Sequence, residues 1–278
     1  MHVIATILLL ASVALAEGDA HWLKRAEGSN RGRAASAPID AAIAAYQKDA
    51  SERPDAIEPR WKLLRALRFK GAYVARTAEE KKAVYSRAKT AGEDALRVVN
   101  RALAARGVRS PDKAGENEIA KIARQIPGAA EVYVWDAVNW GEWALVYGRM
   151  AAARQGAADR IRRHAGIAHA INPDLEGGTP ARVLGRLHDQ TPRIPFITGW
   201  ASQKEAIRFL RESLKVDPAN KITIVFLAEA LVADDAGAKE KAVQMLRAAI
   251  AAPDDPDYRV EQAAAADDAR ALLKRWGV

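Results

Sequence analysis

The chain has 278 residues, 61 of them Ala, with 18 Gly, 12 Pro, no Cys, and 43 Lys and Arg against 35 Asp and Glu. That composition excludes collagen-like, mucin-like and prion-like chains and a disulfide framework. The absence of Cys also removes thiolate zinc sites, iron–sulfur clusters, a Cys nucleophile and the lipid-bearing Cys of a bacterial lipoprotein.

Residues Val3 to Leu15 form an unbroken small or apolar run, and Ala14-Leu15-Ala16 has the small-x-small pattern of a signal-peptidase site. Residues 1–16 therefore read as a secretory signal peptide, with cleavage after Ala16. The run is too short to cross roughly 30 Å of hydrocarbon, and no later stretch reaches about 18 apolar residues, so no stable membrane insertion is expected. Residues 17–37, rich in Gly, Ser, Asn and Arg, read as a flexible tether, and residues 38–278 as a single helical-repeat domain. The basic excess lies early: Glu17 to Ala130 carry 23 basic and 15 acidic residues. Their mixing at helical spacing suggests solvated helix faces, or docking on an acidic partner or an anionic membrane surface, rather than nucleic acid.

From Pro38 onward, apolar periodicity predicts helices near 40–50, 58–71, 79–105, 115–125, 129–153, 156–171, 180–189, 203–216, 221–233, 237–251 and 259–275, punctuated by Pro and Gly. Ala is the strongest helix former and few β-branched runs compete, so the fold class is all-α. The helices repeat. Ala206, Leu210, Ser213 and Pro218 follow the small, large, small, Pro spacing of the second helix of a tetratricopeptide-like hairpin. Ile161, Ala165, Ala168 and Pro173 keep the spacing, as do Ala242, Leu246, Ala249 and Pro253; Ala42, Tyr46 and Pro54 follow it loosely. About four degenerate hairpins stacked as a solenoid are implied.

Two segments carry unusual chemistry. The first, Val132 to Trp143, holds three Trp, and at helical spacing Trp135, Asn139 and Glu142 share a face while Trp140 points elsewhere. These aromatics either pack repeats together or wall a pocket in which Asn139 is the polar group. The second is an irregular insertion near 177–200, where a short helix places Arg182 and Arg186 one turn apart and Pro192 and Pro195 stiffen the following loop. Like charges so placed need acidic partners or an anion. Trp135, Asn139, Trp140, Trp143, Arg182, Arg186, His188, Arg193 and Trp200 are thus the candidate ligand-binding residues, with Arg182, Arg186, Asn139 and Trp140 expected around one cavity.

The Trp135-Asp136-Ala137-Val138-Asn139-Trp140-Gly141 helix, the stretch Arg154 to Ile161, the Leu184-Gly185-Arg186-Leu187-His188 helix and the Pro192-to-Trp200 loop resemble, in this order, the TatT family. These are the periplasmic T-components of tripartite ATP-independent periplasmic (TRAP) transporters. The resemblance covers residues 40–255 and is strongest over 131–231. It implies a tetratricopeptide-like scaffold that partners the solute-binding P-component beside a membrane permease. Many members are lipoproteins; lacking Cys, this chain is expected free in the periplasm unless its signal helix is kept.

No nucleophile elbow, Walker loop or His-Glu-x-x-His is present, and His164 and His169 fall about 140° apart on a helix. Neither catalysis, a cofactor nor a metal is expected. The reading is a periplasmic accessory protein that binds a P-component and helps deliver a small, anionic or amphipathic solute, with a homo-oligomer also compatible. The alternative is a periplasmic scaffold in envelope assembly with no solute.

Overall fold

The computed structural model describes residues 12–194 and 198–278. Among these residues the chain is all-α, with no strand beyond an isolated bridge between Asn30 and Arg33. The helices are α1 (Val13–Leu23), α2 (Ser36–Glu52), α3 (Glu58–Phe69), α4 (Ala78–Ala104), α5 (Glu116–Ala123), α6 (Ala129–Tyr147), α7 (Arg149–Arg154), α8 (Ala157–Ile171), α9 (Leu175–Gln190), α10 (Gln203–Val216), α11 (Lys221–Asp234), α12 (Lys239–Ala251) and α13 (Arg259–Arg275). A π-turn, Lys70–Val74, extends α3.

The small and large residues of the repeat pattern sit where helices touch: Ala42, Tyr46, Ala165, Ala168, Ala206, Leu210, Ser213, Ala242 and Leu246 are fully buried. Small side chains let helix axes approach, and the large residue of each set fills the gap between them. Gly185 shows how close the approach is: a Cβ there would lie 2.6 Å from Leu210 Cγ and 3.0 Å from the Ala206 carbonyl oxygen.

Four local departures from the sequence reading have identifiable causes. The expected 129–153 helix divides at Gly148, whose φ of +88° ends α6 and starts α7. The irregular insertion is mostly helix: α9 runs to Gln190, and its irregularity is confined to Glu176–Gly178 in left-handed backbone and to the stretch after Gln190. Pro195, part of that expected loop, lies outside the described residues.

The third departure is the stretch 17–37, which is not a tether. Ala14, Leu15 and Gly18 of α1 bury against α2, while Asp19 accepts from the Tyr46 hydroxyl (2.9 Å) and from Lys62 Nζ (2.7 Å). Trp22, Ala26 and Ala34 then join the cluster around Ile39, Tyr46 and Leu67. Gly, Ser and Arg give the segment a loop-like composition, but its apolar residues are spaced to reach one core. The cleavage position expected after Ala16 falls inside α1; residues 1–11 lie outside the described residues.

The fourth departure decides the architecture, because the row of hairpins does not stay open. Most helices from α2 to α13 pack on their chain neighbours, with α5 on α8 and α6 on α3, α4 and α8 besides, and α13 then returns to the π-turn and the N-terminal segment. Val260 of α13 belongs to the same core as Leu15, Ala34 and Ile39, and a Cβ on Gly32 would lie 2.5 Å from Ala264 Cα. The solenoid closes on itself and acquires an inner face.

Candidate functional site: the inner face

Burial follows a helical stripe on the two helices that open the inner face. On α3, Trp61, Arg65 and Arg68 are partly buried between fully buried neighbours, and on α6 so are Glu131, Trp135, Val138 and Glu142. Spacings of three and four residues bring each set to one side of its helix. α9 contributes Arg182 and Arg186, α11 Phe226 and Glu229, and α13 Glu261 and Asp268.

These groups meet across long sequence separations. Arg65 Nη1 lies 3.5 Å from Glu176 Oε1, with its guanidinium over the rings of Trp22 (4.1 Å) and Trp61 (4.9 Å). Arg68 donates to the Tyr73 hydroxyl (2.6 Å) and lies 3.2 Å from Glu142. Arg186 Nη1 donates to Asp189 (2.9 Å) and Glu229 (2.8 Å) and rests over Phe226. Glu229 also accepts from Arg275 at 2.8 Å.

Arg182 is the exception. Its nitrogens donate to the hydroxyls of Thr223 (3.3 Å) and Thr179, and among the described residues no carboxylate forms an ion pair with it. Burial first, and then the like charge of Arg68, push its guanidinium down to about 10. Burial alone would lower Arg68 too, but Tyr73 and Glu142 outweigh it and hold that group above its usual range.

Desolvation raises the Glu131 carboxyl, with Glu176 adding to it, and raises Asp268, with Glu229 adding to it. Asp268 is nevertheless open to solvent. Glu176, which faces Arg65, holds a left-handed backbone (φ +48°) that a non-Gly residue adopts at a cost of order 1–3 kcal/mol.

The expected site residues fall into three places. Arg182, Arg186 and Trp135 belong to the inner face. Asn139 does not: its side-chain amide donates to the carbonyls of Leu64 (3.1 Å) and Trp135 (2.8 Å), tying α6 to α3. Trp140 and Trp143 are buried among Ala137, Ala157, Ile161 and Leu184, with Lys89 Nζ 3.9 Å from both rings. The one-cavity expectation for Arg182, Arg186, Asn139 and Trp140 is therefore corrected. Trp140 lies about 140° round the helix from Trp135, and Asn139, at the edge of the Trp135 stripe, is drawn into the α3–α6 seam by its hydrogen bonds.

His188, Trp200 and Arg193 lie at a third place, beside α10. The His188 ring stacks on Phe209 and meets Trp200 edge-on at 5.2 Å. Burial lowers its imidazole, and Arg162 and Arg208 act in the same direction against Glu205. Two cavities flank His188: one of about 670 Å³ reaches Arg149, Arg193 and Gln203, and one of about 490 Å³ reaches Glu116, His169 and Phe209.

Sequence reasoning did not select Arg65, Arg68, Glu176, Glu229 or Asp268. The available signal was the Trp61-x-x-x-Arg65-x-x-Arg68 stripe, two cations and an aromatic on one side of the helix. Among the described residues no cluster of three or more His, Asp or Glu is arranged to hold a metal ion, and no helix is long and apolar enough to cross a membrane.

Fold and site together define an all-helical protein of the helical-repeat kind with a charged, aromatic-flanked inner face. Compared with known proteins, the chain matches no family model, and no curated protein matches it.

Proposed function

We propose that the inner face binds a small anionic or amphipathic solute, and that the chain is a periplasmic accessory protein of the T-component type, docking on a solute-binding P-component. The observation that carries this reading is Arg182. Arg65, Arg68 and Arg186 each have a carboxylate partner, whereas among the described residues Arg182 donates to hydroxyls with no carboxylate in ion-pair contact, Asp217 and Glu176 acting on it only at longer range. A desolvated cation without a counter-ion is costly, and an anion entering beside it recovers that cost. Trp61, Trp135 and Phe226 supply apolar wall for the remainder of such a molecule.

The test is co-purification of the full chain from periplasmic extract, with mass spectrometry of its protein and small-molecule companions. A P-component and an organic anion support the reading. Envelope-assembly proteins with no small molecule would favour the scaffold alternative. Exclusively cytoplasmic protein would overturn the periplasmic reading, and the mature mass reports whether cleavage follows Ala16.

A further inference from the structure

Away from the inner face, the corner where α6 meets α7 collects features that packing does not use. Leu145 is 69% exposed, Met150 70% and Tyr147 39%, all within six residues around Gly148. Single exposed apolar residues are ordinary, but three large ones on one corner form a patch. α7 contains no buried residue: Ala151 and Ala152 touch the Trp140–Trp143 cluster, while Arg149, Met150, Ala153 and Arg154 face outward.

The chain segment that forms this corner is basic. The sixteen residues Trp143 to Ala158 contain Arg149 and Arg154 and no Asp or Glu. Lys82 lies 5.8 Å from the Tyr147 ring, and Lys89 and Arg160 lie over Trp140. Tyr147 is held in place by stacking on Trp143 at 4.6 Å and by a 2.8 Å hydrogen bond between its hydroxyl and Ser86 Oγ.

We propose that this corner is an interfacial docking surface for an anionic phospholipid bilayer. Exposed aliphatic side chains beside cations suit a fluid, anionic headgroup layer, which moulds itself to them. Leu and Met entering the acyl boundary, an amphipathic Tyr at headgroup level and a ring of Lys and Arg are the chemistry of peripheral interfacial binding. The cations are matched to phosphate groups, and no carboxylate falls between Trp143 and Ala158 to oppose them, although Asp189 and Asp234 share with Arg149 the cavity beside His188. The surface is independent of any solute on the inner face.

Co-sedimentation of the full chain with phosphatidylcholine vesicles, with and without phosphatidylglycerol, tests the proposal. The chain is expected to pellet only with the phosphatidylglycerol vesicles. Leu145→Ser combined with Met150→Ser should weaken this by at least about tenfold, and Arg149→Gln or Arg154→Gln by about fivefold each. These side chains are exposed, so helical circular dichroism should stay unchanged. Absence of vesicle binding at low salt overturns the proposal, even if an acidic protein binds the corner. So does binding that ignores phosphatidylglycerol or survives the double substitution.

Discussion

Arg25 and Glu261, separated by 236 positions, form an ion pair at 3.1 Å in which both side chains are nearly buried. Arg25 also donates to the Asp257 carbonyl oxygen and lies over the rings of Trp22 and Tyr258. One side chain thus joins the N-terminal segment to α13 and closes the solenoid.

Arg25→Ala should leave Glu261 desolvated without its partner and cost on the order of 2–4 kcal/mol. The effect should be local. Hydrogen exchange is expected to speed up in residues 25–34 and 256–268 while the α4–α6 core stays protected; uniform loss of protection would show that closure and core are one cooperative unit.

Asp136 is a second buried junction. Its carboxylate accepts from Arg160 Nε (3.2 Å) and from His164 Nδ1 (2.7 Å), pinning α6 to α8. Asp136→Ala removes the only carboxylate of that group and should cost about 3–5 kcal/mol in chemical denaturation. Asp136→Asn, which keeps one acceptor oxygen, should cost less.

Gly185→Ala sets two effects against each other. Ala is the better helix former by about 1 kcal/mol, but its Cβ would press on Leu210 and on the Ala206 carbonyl of α10. Backbone cannot yield as a flexible side chain can, so the net effect should be destabilisation by about 1–3 kcal/mol, and more for Gly185→Leu. Thermal unfolding that is unchanged or raised would contradict this packing.

Arg182 and Arg186 should separate stability from binding. Arg182→Met removes a desolvated cation that has no ion-paired carboxylate among the described residues, so the fold should be unaffected or stabilised while anion binding falls at least about tenfold. Arg186→Met leaves Asp189 and Glu229 without a shared partner and should lower the melting temperature. Equal destabilisation by both would mean that Arg182 serves as a structural tie to Thr179 and Thr223 rather than as an anion site.

His188 gives a pH signature. Its folded-state imidazole is lowered by burial, so between that value and the ordinary one, about 6.5, the unfolded chain binds more protons. This residue's contribution to stability is therefore complete above the ordinary value and is lost as pH falls through the window below it. NMR titration of the His188 ring should show a midpoint below that of an exposed His, and His188→Gln should flatten this part of the stability profile.

How far the sequence could be read depended on range. Helix positions from α2 to α13 follow from local periodicity, and the small-residue spacing around Ala206 and Ala242 marks buried contacts because a hairpin must hide that face somewhere. Trp135 and Glu142 were legible as sharing a face, but nothing local says that Asn139, one turn from Trp135, turns away to bond Leu64. α1 was missed because its burial is supplied by α2 and α3 rather than by its own weak amphipathicity.

By itself, the sequence determined the helices, their Gly and Pro boundaries and the small residues that set their spacing, since these depend on backbone propensity and 3.6-residue periodicity. Closure and the inner face were decided by tertiary structure alone. Arg65 and Glu176 meet across 111 positions, and Arg25 and Glu261 across 236. Small rotations between successive hairpins add up along the chain, and their sum, which no local pattern encodes, determines whether its two ends meet.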